Sequence, residues 1–176
     1  ILAALLLTAC ASAPASTATP APTVPPASTA ATLTLEQKVG QLFIVRPDAL
    51  DLTLSQETID DPRADGVTQV TDAMRETLQQ YPVGGICQFG KNIESPSQLA
   101  RFNKDLQAAS ATPLFITVDE EGGMVARLAN NDAFDLPRYA SAAAVGASGD
   151  PENARAMGQT IGGYLKTYGF NMDFAP

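Results

Sequence analysis

The sequence predicts an α/β fold built on a parallel sheet, and three observations carry that prediction. Short apolar runs of strand length alternate with longer segments whose apolar residues recur at helical spacing. The helical segments open on N-terminal capping signals. The densest polar group, Asp119-Glu120-Glu121-Gly122-Gly123, directly follows the most apolar predicted strand, Leu114 to Val118. That is the strand end at which parallel sheets present ligands. Periodicity leaves open whether the sheet is doubly wound or closes into a (β/α)8 barrel.

Each element has its own warrant. Thr34 and Gln37 form a capping box, and Leu35, Val39, Leu42 and Phe43 follow at helical spacing. Leu42-Phe43-Ile44-Val45 then reads as a short buried strand, which ends the helix near Gly40 or Gln41. Residues 46–69 are polar and acidic, hold Pro47, Pro62 and Gly66, and read as a long surface insertion. A second helix carries Val70, Met74, Leu78 and Tyr81 on one face and stops at Pro82. Gly84 to Phe89 is the next strand, in which Cys87 reads as a buried free thiol. Ser95-Pro96-Ser97-Gln98 opens a third helix with an N-cap Ser, Pro at the first position and Gln at the third. Leu99, Phe102 and Leu106 form its buried stripe.

Leu114 to Val118 is a near-continuous apolar strand of the kind buried on both faces. The last helix opens at Asp150-Pro151-Glu152, with a carboxylate at its positive end. Ala154, Met157, Ile161 and Leu165 form its predicted inner face, and Gly169 its C-cap. Gly158, Gly162 and Gly163 each weaken it by about 1 kcal/mol relative to Ala, tolerable where a helix packs closely on a sheet. Phe170 to Phe174 reads as a fourth strand.

Composition narrows the partners. The chain has 176 residues, 45% hydrophobic and 17% charged, which suits one globular domain with non-globular extras. Eleven Lys and Arg against 19 Asp and Glu leave a formal charge of -8, so nucleic acid is not an expected partner. There is no His. The apolar run Ile1 to Ala9 is too short to span a bilayer, which takes about 20 residues, and has the character of a signal-peptide core. Leu7-Thr8-Ala9-Cys10 resembles a bacterial lipobox, in which the Cys carries the lipid. Residues 11–32 are Ala, Ser, Thr and Pro apart from Val24, an expected disordered tether. The organisation read from sequence is therefore 1–10, the end of a lipoprotein signal peptide; 11–32, the tether; and 33–176, the folded domain. Cys10 would hold the protein to a bacterial membrane on its extracytoplasmic side.

Within the acidic segment, Asp119 is best placed to point into the mouth of the sheet. Arg127, eight residues on, could lock the loop carboxylates or bind a hydroxyl itself. The bland alternative is a solvated acidic loop capping the next element.

Val118 to Leu128 resembles the D-x-E-G-G-R-V-x-R-L segment of glycoside hydrolase family 3, in its β-N-acetylhexosaminidase branch. Four further stretches agree in order: Leu35 to Val45, Gly84 to Ile93, Leu136 to Ala147, and Gly169 to Pro176. The resemblance implies the first half of a TIM-like (β/α)8 barrel, incomplete at its C-terminus, since such barrels take about 250 residues. It implies release of terminal sugars from β-linked glycans with retention, with no cofactor and no metal. Asp119 would hydrogen-bond hydroxyls of the terminal sugar, with Arg127 beside it. Met124 stands where the family has Arg. The nucleophilic Asp and the His-containing acid/base pair would lie beyond Pro176, so no catalytic residue is assigned within 33–176 and the segment alone is expected to be inactive. Glu120 is expected to point away from the sugar and to tolerate Glu120→Gln. A β-glucosidase-type member, a non-catalytic lipid-anchored glycan-binding protein and an importer's solute-binding lipoprotein are the alternatives. Oligomeric state is not legible.

Overall fold

The computed structural model describes residues 32–176. Cys10, its apolar run and the predicted tether up to residue 31 lie outside the described residues.

Helix α1 (Leu35–Gly40) starts at the expected capping box: the Gln37 amide donates to Thr34 Oγ1 and the Thr34 amide to Gln37 Oε1. Its apolar side chains stay largely exposed. The buried strand expected over 42–45 shrinks to β1 (Ile44–Val45), because Leu42 and Phe43 complete the turn that ends the helix. Their amides bond to the carbonyls of Val39 and Gly40, and both side chains face outward.

Residues 46–69 are not the plain surface insertion expected. Pro47–Leu50 is a 3-10 turn with Pro47, Asp48 and Leu50 buried, and α2 (Gln56–Asp60) follows under a Ser55 cap. The Asp48 carboxylate accepts from the Val67 amide at 3.2 Å and Asn92 Nδ2 at 2.8 Å, and pairs with Lys91 Nζ at 3.4 Å. Lys91 also donates to the carbonyls of Thr58, Ile59 and Asp61. A buried charge is tolerable only when so fully partnered, and this cluster fastens the segment to the sheet.

The remaining elements follow expectation more closely. They are α3 (Asp72–Gln80), β2 (Gly85–Gln88), α4 (Pro96–Ala109), β3 (Phe115–Val118), α6 (Pro151–Thr167) and β6 (Met172–Asp173), shorter than the expected 170–174, while β4 (Glu120–Gly122), β5 (Val125–Ala126) and α5 (Ala142–Gly146) have no counterpart in the sequence reading. Ser95 and Asp150 cap α4 and α6 as predicted, each followed by Pro. The C-terminus of α6 closes in a Schellman pattern: the Gly169 amide reaches Lys166 O and the Phe170 amide Leu165 O. Phe170 and Leu165 meet in the core, the apolar contact that accompanies this cap.

Strands β1, β2, β3 and β6 pair in that order, all parallel, and a helix crosses over between each pair. One face of the sheet, bearing Ile86, Ile116 and Val118, is covered by Met74 and Leu78 of α3, Leu99, Phe102 and Leu106 of α4, and Ile161 and Leu165 of α6. The opposite face carries Ile44, Gly85, Cys87, Phe115, Thr117 and Met172 by alternation. Phe115, expected to be buried, is half exposed at the start of its strand, whereas Cys87 and Thr117 farther along this face are buried. Helices on one face, with neighbouring strands in chain order, describe a barrel wall; a doubly wound sheet would have helices on both faces. The sheet is open at β1 and β6 over the described residues.

The glycines of α6 do not mark close packing. A Cβ placed at Gly158, Gly162 or Gly163 would meet open space, and Ala154 is exposed rather than on the inner face. The buried stripe is Met157, Ile161 and Leu165 alone.

Candidate active-site rim

The candidate site residues stand one residue past the ends of successive strands. Side chains two apart in a strand share a face, so Arg46 after β1, Phe89 after β2 and Asp119 after β3 all turn to the face opposite the core helices, in line with Cys87 and Thr117. The observed contacts agree. Asp119 Oδ2 accepts from Arg127 Nη2 at 3.0 Å, and the two side chains are 25% and 32% exposed. The Arg127 guanidinium lies 5.9 Å from the Phe89 ring centroid and that of Arg46 lies 4.9 Å from the same ring. The structure thus brings both predicted site residues together, and adds two that sequence reasoning missed.

Arg127 reaches Asp119 because the intervening segment doubles back. Strands β4 and β5 form an antiparallel hairpin whose turn carries Gly122 at φ +82 and Gly123 at φ +70. Those angles disfavour any side chain, and a Cβ on Gly123 would also meet Ala140 O at 2.8 Å. Met124 sits at the tip, 96% exposed, so this position makes no second contact to the Asp119 cluster. Asn130 Nδ2 donates to Gly123 O and holds the tip down.

The three adjacent carboxylates diverge. Asp119 turns to the face opposite the core helices. Glu120 is fully buried, accepting from the amides of Leu128 (2.8 Å) and Ala129 (2.9 Å) and from Tyr164 Oη (2.8 Å). Its side chain turns inward, away from Asp119, and burial under three donors removes it as the harmless substitution site expected from sequence. Burial, then the bond to Glu120, pushes the Tyr164 phenol well above its ordinary value. Glu121 lines a separate cavity of about 470 Å³ between the hairpin, α5 and α6, together with Asp173. Cys87 is a buried free thiol, as expected, and burial raises its pKa.

Asp173 was not predicted as a site residue, although a carboxylate inside an otherwise apolar strand was a visible cue. Its Oδ1 accepts from the Glu120 amide at 2.9 Å. Burial, and then the charges of Glu120, Asp119 and Glu121, raise its pKa against the opposing pull of that amide. A carboxyl whose folded pKa is raised favours folding while protonated and loses that contribution as pH rises through the folded value. Asp173→Asn keeps the acceptor and removes the charge, so it should stabilise the protein at neutral pH. The gain over wild type in urea midpoint should shrink as pH falls toward the ordinary carboxylate range. A gain that grows on acidification would contradict the raised pKa.

Comparison with known proteins places this geometry. The sequence model of the glycosyl hydrolase family 3 N-terminal domain matches residues 34–176. A β-hexosaminidase A of Pseudoalteromonas piscicida is 31% identical over 153 residues, covering 82% of this chain and 25% of that protein. A β-hexosaminidase of Thiobacillus denitrificans is 35% identical over 114 residues, covering 62% of the chain and 31% of the relative. Among solved structures, a glycoside hydrolase family 3 β-N-acetylglucosaminidase from Paenibacillus superposes with a TM-score of 0.62 at 35% identity, over 82% of this chain and 24% of that one. A β-N-acetylhexosaminidase from Beutenbergia cavernae gives a TM-score of 0.58 at 28% identity, over 82% and 38% of the two chains. The chain therefore spans about a quarter to a third of the length of the curated relatives it matches.

Proposed function

The chain belongs to glycosyl hydrolase family 3, and from that premise we propose that the whole protein removes terminal β-linked N-acetylhexosamine from glycans with retention of configuration. The observation that carries the proposal is the Asp119–Arg127 pair at the strand-end rim, within the matched region. A partly exposed carboxylate, pre-oriented by a guanidinium, is suited to accept hydrogen bonds from sugar hydroxyls. The likeness to β-hexosaminidases and β-N-acetylglucosaminidases favours the N-acetylated sugar over glucose.

Retaining hydrolysis needs a nucleophile and an acid/base flanking the scissile bond. The carboxylates near Asp119 are unsuited to either role: Glu120 is sealed under its donors, and Glu121 and Asp173 line the cavity toward α6. Neither role is assigned to these carboxylates. The whole protein should hydrolyse an aryl N-acetyl-β-glucosaminide in preference to the matching β-glucoside. Hydrolysis of the glucoside alone would move it to the glucosidase type, and hydrolysis of neither would favour the glycan-binding reading.

The lipobox reading of Cys10 and the tether supports an extracytoplasmic protein anchored to a bacterial membrane. Several acyl chains anchor stably where one is marginal. Cys10→Ala should shift the protein from the membrane to the soluble fraction on cell fractionation. Unchanged membrane association would remove the anchor from the proposal.

A further inference from the structure

Arg127 orients Asp119, yet few contacts fix Arg127 itself. Its one hydrogen bond among the described residues runs from Nη2 to Asp119 Oδ2, and its buried Nε has no partner there. A guanidinium bonded at one corner can pivot about that bond, whereas a forked pair would fix its plane. Its other directional contact is with the Phe89 ring, whose centroid lies 5.9 Å from Arg127 Cζ. A ring face attracts a cation and favours one placement of it.

Phe89 is held twice. Its amide donates to Asn92 Oδ1 at 3.0 Å, and buried Asn92 donates on to the Asp48 carboxylate at 2.8 Å and to Val67 O at 3.0 Å. At the ring, Arg46 Cζ lies 4.9 Å from the centroid. Arg46 Nη1 in turn donates to Ile59 O and Asp60 Oδ1, each at 3.1 Å. The groups therefore form a row of Asp60, Arg46, the ring, Arg127 and Asp119, in which each neighbouring pair attracts. Asp60 is the weak end, because its side chain is 59% exposed and a pair so open to solvent holds loosely. The constraint on Arg127 lies in the ring.

We propose that Phe89 is a positioning residue for the Asp119–Arg127 pair, limiting the pivot of the Arg127 guanidinium, with Arg46 steadying the ring from the 46–69 segment. This rests on the glycosidase reading above. Phe89 acts through Arg127 and needs no contact with the sugar, so its effect on turnover exists only while Arg127 is present.

The test uses the whole protein, an aryl N-acetyl-β-glucosaminide and two backgrounds, wild type and Arg127→Ala. With Arg127 present, Phe89→Leu should lower kcat/KM about three- to tenfold, the scale of a partly desolvated cation–ring contact. In the Arg127→Ala background the same change should cost less than about twofold. Phe89→Tyr keeps a ring and should stay within about twofold of wild type. Arg46→Gln should act as Phe89→Leu does, more weakly, and again only with Arg127 present. A merely structural Phe89, or one that stacks directly on the sugar, would lower kcat/KM by the same factor in both backgrounds, and that result would overturn the proposal. Wild-type kinetics in Phe89→Leu, or in Arg127→Ala alone, would overturn it too, and each of these leaves the glycosidase reading intact. Absence of hydrolysis by the wild type would overturn both.

Discussion

Asp119→Asn in the whole protein is expected to lower kcat/KM by about ten- to a thousandfold. The substitution keeps the shape and removes the charge, so bonds from sugar hydroxyls lose their charge-assisted character, worth roughly 1.5–3 kcal/mol each. Contacts that tighten as the sugar ring flattens toward the transition state add a loss in kcat as well as KM. The Arg127 guanidinium would also lose its anion at 3.0 Å and shift on the Phe89 ring. Arg127→Ala should cost less, because the carboxylate would remain and only its orientation would loosen. The suitable control is Glu121→Gln, since Glu121 lines the cavity on the α6 side of the hairpin rather than the Asp119 side. Steady-state kinetics decide the matter: near wild-type values for Asp119→Asn would return the segment to a solvated acidic loop.

The parts of this fold legible from sequence were those with a local physical signature. Thr34, Ser95 and Asp150 cap helices where their residue types require, and Leu99, Phe102 and Leu106 bury on the face their spacing defines. Asp119 was legible because it directly follows an apolar strand, and Arg127 because of the motif around it. What failed depended on distant partners. Nothing near Asp48 in sequence announces a buried carboxylate; its partners Val67, Lys91 and Asn92 come from 19 to 44 residues away. Phe43 is exposed because it completes the turn that ends α1 rather than joining the sheet, and Phe115 because it stands at the start of its strand, neither of which an apolar run states. Three adjacent carboxylates look alike in sequence. The two glycines that fold the hairpin back bring Leu128 and Ala129 over Glu120, and so give the three different surroundings.

Glu120→Ala should be among the most destabilising single changes in the domain, by about 3–5 kcal/mol. The carboxylate is fully buried, and its removal would leave the amides of Leu128 and Ala129 and the Tyr164 hydroxyl without their acceptor. Buried donors left unpaired cost about 1–3 kcal/mol each, only partly offset by relief of desolvating the charge. Glu120→Gln should cost less but not vanish, since an amide offers one oxygen where two backbone amides now each have one. Tyr164→Phe removes a single bond and should cost about 1–2 kcal/mol. The double variant distinguishes a coupled clamp from two separate contacts: Tyr164→Phe should add much less in the Glu120→Ala background than in wild type. Urea unfolding of the whole protein reads this out, with a shift in midpoint at unchanged slope. Because the clamp joins α6 to the segment that carries Arg127, Glu120→Gln should also raise KM by loosening the Asp119–Arg127 pair. A Glu120→Ala variant as stable as wild type, or strict additivity with Tyr164→Phe, would show that the hairpin is held by its glycines and Asn130 rather than by this buried carboxylate.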